Sequence, residues 1–257
     1  MIDAQVLQRL ATQYHTTTVN VAREYCQHMF LSSFYQRKGT ERVLFKGGTA
    51  LRVIYGSPRF SEDLDFSGMQ ITKSSIEDLL TETFSAMERV GMAVEIEEAK
   101  ATSGGYLSIV HGQFLSYHVE VQLQISLRRG TRVHPETALI ASDLWPAYTL
   151  LHLPQEHLVQ EKLDALLDRG KPRDFYDLYF ILRKGLLSPR HRGRLSEVLV
   201  RLKQRRHDPF DELRLFLPRD QQAILRDFGE VLAVSTYITF PSRMTGTSTP
   251  IRYLFAM

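Results

Sequence analysis

An α+β fold, with a mixed sheet preceded by helices and followed by a mainly helical domain, is what the sequence predicts from three observations. Residues 43–66 alternate short apolar runs with a Gly-Gly turn, the signature of strand, turn, helix and strand in close succession. Residues 93–127 carry three stretches of alternating polar and apolar side chains, as half-buried strands do. From Leu153-Pro154 onward the apolar spacing turns helical. The expected division is a sheet-bearing domain over 1–150 and a mainly helical domain over 151–257.

Two helices open the chain, Ala4 to Tyr14 and Val19 to Gln36. The second starts from Thr16, Thr17 and Thr18, whose hydroxyls suit an N-cap, and closes near Gly39. Val43, Leu44 and Phe45 form a short buried strand, and Gly47-Gly48 a turn where backbone approaches a ligand without a Cβ in the way. Thr49 is expected to open and cap the next helix. Arg59 to Phe66 alternates and reads as a strand with Ser61, Asp63 and Asp65 on one face. Thr72 to Val90 is an amphipathic helix with Ile76, Leu79, Leu80, Phe84 and Met87 on its apolar side. Strands follow at Ala93 to Glu97, Leu107 to His111 and Tyr117 to Leu127, with Gly104-Gly105 as a hairpin turn. Helices are expected at Pro154 to Leu167, Arg173 to Arg183 and Arg194 to Gln204, with further helical stretches to Gly229. Thr236 to Phe240 reads as a late strand and Pro241 to Pro250 as a loop. Tyr176 and Phe180 are expected in the helical core, and no internal repeat suggests a solenoid.

Composition narrows the class. With 257 residues, 43% hydrophobic and 24% charged, the chain has the balance of a globular protein with a sizeable core. No apolar stretch has the length of a membrane span, and the N-terminus lacks the basic start and apolar core of a secretion signal, so a cytoplasmic location is expected. Cys26 is the only cysteine, which excludes an internal disulfide and a cysteine zinc cage. It falls on the helical pattern of Val19, Ala22, Met29 and Phe30 as a small buried hydrophobe. His111, His118, His152 and His157 lack the i, i+4 spacing of a helical zinc pair and are assigned no metal. Net charge is only +3. Its distribution is uneven, since Arg190, Arg192, Arg194, Arg201, Lys203, Arg205 and Arg206 crowd one segment that either holds a phosphate backbone or is a solvated helix face.

The chemistry concentrates at Phe45 to Gly68. Asp63 and Asp65, one residue apart, repel unless a cation neutralises them, and carboxylate oxygens favour a hard ion such as Mg²⁺. Gly47, Gly48 and Thr49 offer amides and a hydroxyl to phosphates at a helix start. Ser61 is either a phosphate contact or a plain exposed serine.

The wording GGTAL followed by RFSEDLDF resembles the core motif of the DNA polymerase β-like nucleotidyltransferases, and within them the AbiEii/MenT branch of bacterial toxins. A second match lies at Glu161-Lys162 and at Arg173, Asp174 and Asp177, similar to that branch's Glu-Lys pair and Arg-Asp-x-x-Asp. The resemblance covers Val43 to Leu182 well. It implies a polymerase β-like mixed sheet; an NTP substrate with two Mg²⁺ ions in turnover; an RNA acceptor, plausibly the tRNA 3′ end; a translation block; and a cognate antitoxin. It carries over Asp63 and Asp65 as catalytic metal ligands, Lys162 as a catalytic and triphosphate-binding residue, and Asp174 and Asp177 as active-site residues without assigned roles. Lys162 is alternatively an ordinary surface lysine paired with Glu161 or Asp164. Asp174 and Asp177 share a helix face and either ion-pair with Lys162 or Arg173, or leave Asp174 simply favouring the helix start. The family's third acid is expected where Gln124 stands, and Gln cannot act as a base; Glu120, four residues earlier, substitutes only if the sheet registers differently. Transfer to a small molecule or a protein, and a catalytically degenerate nucleotide-binding module, are the competing functions.

Overall fold

In a computed structural model, residues 2–128, 133–204 and 210–239 are described. The chain divides into two compact units, one of Met1–Leu158 with Arg214–Gln222, the other of Val159–Leu213 with Ala223–Met257.

In the first unit, α1 (Ala4–Gln13) and α2 (Thr18–Phe34) begin where Asp3 and Thr17 accept the N–H of Val6 and Asn20. Helix α2 is buried on nearly every side, and its polar residues Glu24, Gln27 and His28 are buried with its apolar ones. Strand β1 (Val43–Lys46) leads into α3 (Gly47–Val53), followed by β2 (Leu64–Met69) and α4 (Lys73–Arg89). The apolar positions read from the sequence in α4, Ile76, Leu79, Leu80, Phe84 and Met87, are all buried. Strands β3 (Ala93–Ala101), β4 (Gly105–Phe114), β5 (Tyr117–Arg128), β6 (Glu136–Ile140) and β7 (Tyr148–His152) complete the sheet.

The seven strands run in the order β3-β4-β5-β2-β1-β7-β6. Pairing is antiparallel except between β2 and β5 and between β1 and β7. The central strand β1 is buried at all four positions, and Phe45 and Phe34 both meet the Phe66 ring, at 5.5 and 5.6 Å. Helix α2 lies on β5 and β7, and α4 on α2 and β3. The hairpin at Gly104-Gly105 forms as expected, with Thr102 and Gly105 exchanging backbone hydrogen bonds. A Cβ on Gly105 would stand 1.9 Å from the Ile125 carbonyl oxygen, so no larger residue fits there.

The second unit takes α5 from Val159 on (Gln155–Asp168 in full), α6 (Pro172–Arg183), α7 (Leu195–Gln204) and α8 (Phe228–Thr239). Tyr176 and Phe180 are buried in it, and the Tyr176 ring stacks on Phe228.

Three expectations are corrected. The strand expected at Arg59 to Phe66 begins only at Leu64, because the backbone groups before it are spent off the ladder. The Phe60 N–H donates to the Phe216 carbonyl, Arg52 donates to the carbonyls of Ser57 and Pro58, and Gln27 donates to those of Ser61 and Glu62. The helix expected from Thr49 begins two residues earlier, at Gly47. The late strand at Thr236 to Phe240 is helical through Thr239: Phe228, Leu232, Ala233 and Thr236 bury at helical spacing, and the Thr236 hydroxyl bonds the Leu232 carbonyl. Phe240 and the loop expected at 241–250 lie outside the described residues. The β6–β7 hairpin was not anticipated.

Candidate active site

The β1–α3 junction brings the expected phosphate and metal residues together. Gly47 has a φ of 85°, a left-handed conformation that glycine adopts without strain. A Cβ placed on it would stand 2.2 Å from Asp65 Oδ2, so its bare Cα packs directly on that carboxylate. A Cβ on Gly48 would meet the Arg59 guanidinium at 2.5 Å and Ser61 Oγ at 3.0 Å. Gly47, Gly48, Ser61 and Asp65 are thus one cluster, and Asp63 lies one residue outside β2. The N-cap residue of α3, Lys46, makes no side-chain capping bond.

The Thr49 hydroxyl does not cap α3. Thr49 is buried inside the helix, and its Oγ1 donates to the Asp63 carbonyl. The bond ties the α3 helix to the residue that begins the acidic pair, so Thr49 acts on the site through Asp63.

Two cations that sequence reasoning passed over belong here. Lys46, 8% exposed, stands opposite Asp65 across the β1–β2 ladder. Arg59, 4% exposed, lies against Gly48 and donates to the Phe60 carbonyl. Their signal was position, since one immediately precedes the Gly-Gly and the other opens the acidic segment.

The support for the 57–63 segment also went unread. Gln27, 1% exposed, donates its Nε2 to the Ser61 carbonyl at 2.9 Å and to the Glu62 carbonyl at 3.2 Å. Arg52 forms a bidentate pair with Glu24 at 2.7 and 2.8 Å, bonds the Ser57 and Pro58 carbonyls, and lies 3.5 Å from the Phe60 ring centroid. The readable signal is polar residues inside an otherwise apolar helix, since buried polar groups carry partners.

The register settles the neighbour of Asp65 on β5, which is Gln124. Glu120 stands opposite His111 on β4 instead. An amide therefore stands beside Asp65 on β5.

In the second unit, Lys162 is neither exposed nor paired with Glu161 or Asp164. Its Nζ lies 2.7 Å from Asp177 Oδ2, with side-chain exposures of 12% and 1%. Asp164 is taken by Arg194 and Gln160. Asp174 is buried and accepts a bidentate pair from Arg169, at 2.8 and 3.0 Å, rather than from Arg173. It also accepts the Lys171 N–H at 3.0 Å and so fixes the start of α6. Of the basic segment, Arg190, Arg192 and Lys203 are exposed, while Arg194 binds Asp164 and Arg201 binds the Asp168 carbonyl. Arg205 and Arg206 lie outside the described residues.

The family described as nucleotidyl transferase AbiEii toxin, type IV toxin-antitoxin system, matches residues 30–234. No curated protein matches the chain. Among solved structures, JHP933 from Helicobacter pylori is 20% identical with a TM-score of 0.63, over 87% of this chain and 93% of that one. A putative nucleotidyltransferase from H. pylori is 20% identical with a TM-score of 0.63, over 85% and 93%. The nucleotidyltransferase toxin MenT4 from Mycobacterium tuberculosis is 17% identical with a TM-score of 0.62, over 93% and 90%. At these identities the likeness is one of fold.

Proposed function

The chain belongs to the AbiEii nucleotidyltransferase toxin family, and from that premise we propose that it transfers NMP from an NTP to an RNA acceptor, the tRNA 3′ end, and so blocks translation until an antitoxin restrains it. The observation that supports this reading is the close packing of Gly47 on the Asp65 carboxylate and of Gly48 on Arg59 and Ser61, which sets the Gly-Gly turn against the acidic segment.

Asp63 and Asp65 fit Mg²⁺ by donor chemistry. They offer hard carboxylate oxygens, both are half-buried, and the bare Cα of Gly47 packs against Asp65. A pair of such ions would stabilise the attacking and departing oxygens of an in-line displacement. In this reading the amides of Gly47, Gly48 and Thr49 at the start of α3 donate to the β- and γ-phosphates, and the Ser61 hydroxyl donates to a phosphate oxygen. Gln27 and Thr49 hold Ser61 and Asp63 at fixed positions through their carbonyls. The family resemblance assigns triphosphate charge to Lys162; within its own unit that ammonium is oriented by Asp177, while Asp174 sets the start of the helix that carries Asp177. Gln124 cannot take the acceptor proton, so that proton leaves to water or to another base. Exposed Arg190, Arg192 and Lys203 favour a polyanionic acceptor over a small molecule or a protein hydroxyl.

The test is incubation with total RNA, Mg²⁺ and each labelled NTP in turn, with label expected on a tRNA-sized band. Label on protein or on a small molecule would overturn the acceptor. The amide at position 124 favours one second reading, a module that binds nucleotide without turnover, and NTP binding with no transfer to any acceptor would establish it.

A further inference from the structure

Away from Asp63 and Asp65, three strands of the first unit bring a second set of ligating side chains together. Glu97 on β3, His111 on β4 and Glu120 on β5 each offer one ligand atom, and these atoms lie within 4.8 Å of one another. His111 Nε2 is 2.6 Å from Glu97 Oε2. Glu120 is the register partner of His111 on the next strand. Glu97 is the extra residue of a bulge between Ile96 and Glu98, and bulges re-aim side chains and interrupt a ladder. The helical spacing rule for histidine ligands does not see such a group, because its members are 14 and 9 residues apart in sequence and adjacent only across the sheet.

We propose that Glu97, His111 and Glu120 form a binding site for a transition-series divalent cation of the Zn²⁺ class, separate from the acidic pair. Charge balance argues for it. One protonated imidazole leaves two neighbouring carboxylates with a net negative charge, whereas a divalent ion with a neutral imidazole neutralises both. The donor set argues for the class, since an imidazole nitrogen with two carboxylate oxygens suits Zn²⁺ and its neighbours, and Mg²⁺ prefers oxygen alone. Ligands at about 2.1 Å in tetrahedral geometry stand roughly 3.4 Å apart, so small side-chain rotations close the present spread. Water fills the fourth position, since these side chains are at the surface. The ion would tie the edge strand β3 to β4 and β5.

The experiment is equilibrium dialysis of the full-length chain against Zn²⁺ alone, without nucleotide, alongside His111→Ala, Glu120→Gln and Asp63→Ala. Wild type and Asp63→Ala are expected to hold one more Zn²⁺ than His111→Ala. Glu120→Gln is expected to weaken that ion at least tenfold, and a large excess of Mg²⁺ to leave it bound. A Zn²⁺-dependent rise in melting temperature should appear in wild type and vanish in Glu120→Gln, an exposed change that leaves the fold intact. Equal stoichiometry and affinity in all four proteins would overturn the site, as would loss of the ion in Asp63→Ala. Displacement by Mg²⁺ would overturn the cation class. Because no nucleotide is used, failure here leaves the transfer reading untouched.

Discussion

The Ser57–Asp63 segment and the start of α6 both present carboxylates, and they hold them by opposite means. The first is fixed through its carbonyls, by Arg52, Gln27 and Thr49, so its acidic side chains keep partial exposure. In the second, Asp174 and Asp177 are themselves the fastened groups, buried against Arg169 and Lys162. Fixing a segment by its backbone leaves its side chains at the partly exposed surface. Burying an acid against a cation converts it into support and makes the cation the presented group. The two regions therefore call for different failures on mutation: chemistry without loss of fold in one, and fold together with chemistry in the other.

The largest effect should come from Asp63→Ala or Asp65→Ala, with labelled-NTP transfer falling at least a thousandfold, about 4 kcal/mol of barrier. The denaturation midpoint should move by no more than about 0.5 kcal/mol. Transfer above a tenth of wild type would break the contrast. Asp177→Ala should instead cost about 3 kcal/mol of stability in urea unfolding, because it strands a buried ammonium. Combining it with Lys162→Met should restore most of that stability and none of the transfer. If the double variant is no more stable than Asp177→Ala, the pair is not what holds α5 to α6.

Gln27→Leu sharpens the comparison from the other side. It removes two bonds to the Ser61 and Glu62 carbonyls, costing about 1–3 kcal/mol of stability. Transfer should show kcat down about tenfold (~1.4 kcal/mol) with KM nearly unchanged, since geometry is lost rather than a substrate contact. A purely structural role would lower stability and leave kcat per folded molecule intact. The smallest effect is acidic. Burial holds the His28 imidazole below its usual pKa, so the unfolded chain takes up that proton first. Stability should then fall as pH drops below about 6.5, by at most about 1.4 kcal/mol per pH unit from this group. His28→Phe should flatten that part of the profile.

Much of this was readable in the sequence, and for definable reasons. The acidic pair and the Gly-Gly signal chemistry by residue type and order, and α4 announces itself by apolar spacing. The 57–63 segment misled because polar and apolar residues alternate there although its backbone is bonded to side chains and to Phe216 rather than to a strand. A polar Gln27 inside an apolar helix is visible in the sequence, but what it supports is not, because its partners at Ser61 and Glu62 are carbonyls, which carry no sequence signature. The neighbour of Asp65 depended on the β2–β5 register, a tertiary property. The β6–β7 hairpin is short, and the period of a five-residue strand is barely expressed.

The position of β1 and β2 at the middle of the sheet has a temporal consequence. Beyond each other, they pair with β5 and β7, whose partner residues Gln124 and His152 come far later in the chain than Asp65 and Phe45. Pairings so distant in sequence form late, and a chain leaving the ribosome N-terminus first cannot make them until those residues emerge. A nascent chain carrying Asp63 and Asp65 would thus lack the flanking strands that define their surroundings until most of the first unit has been made.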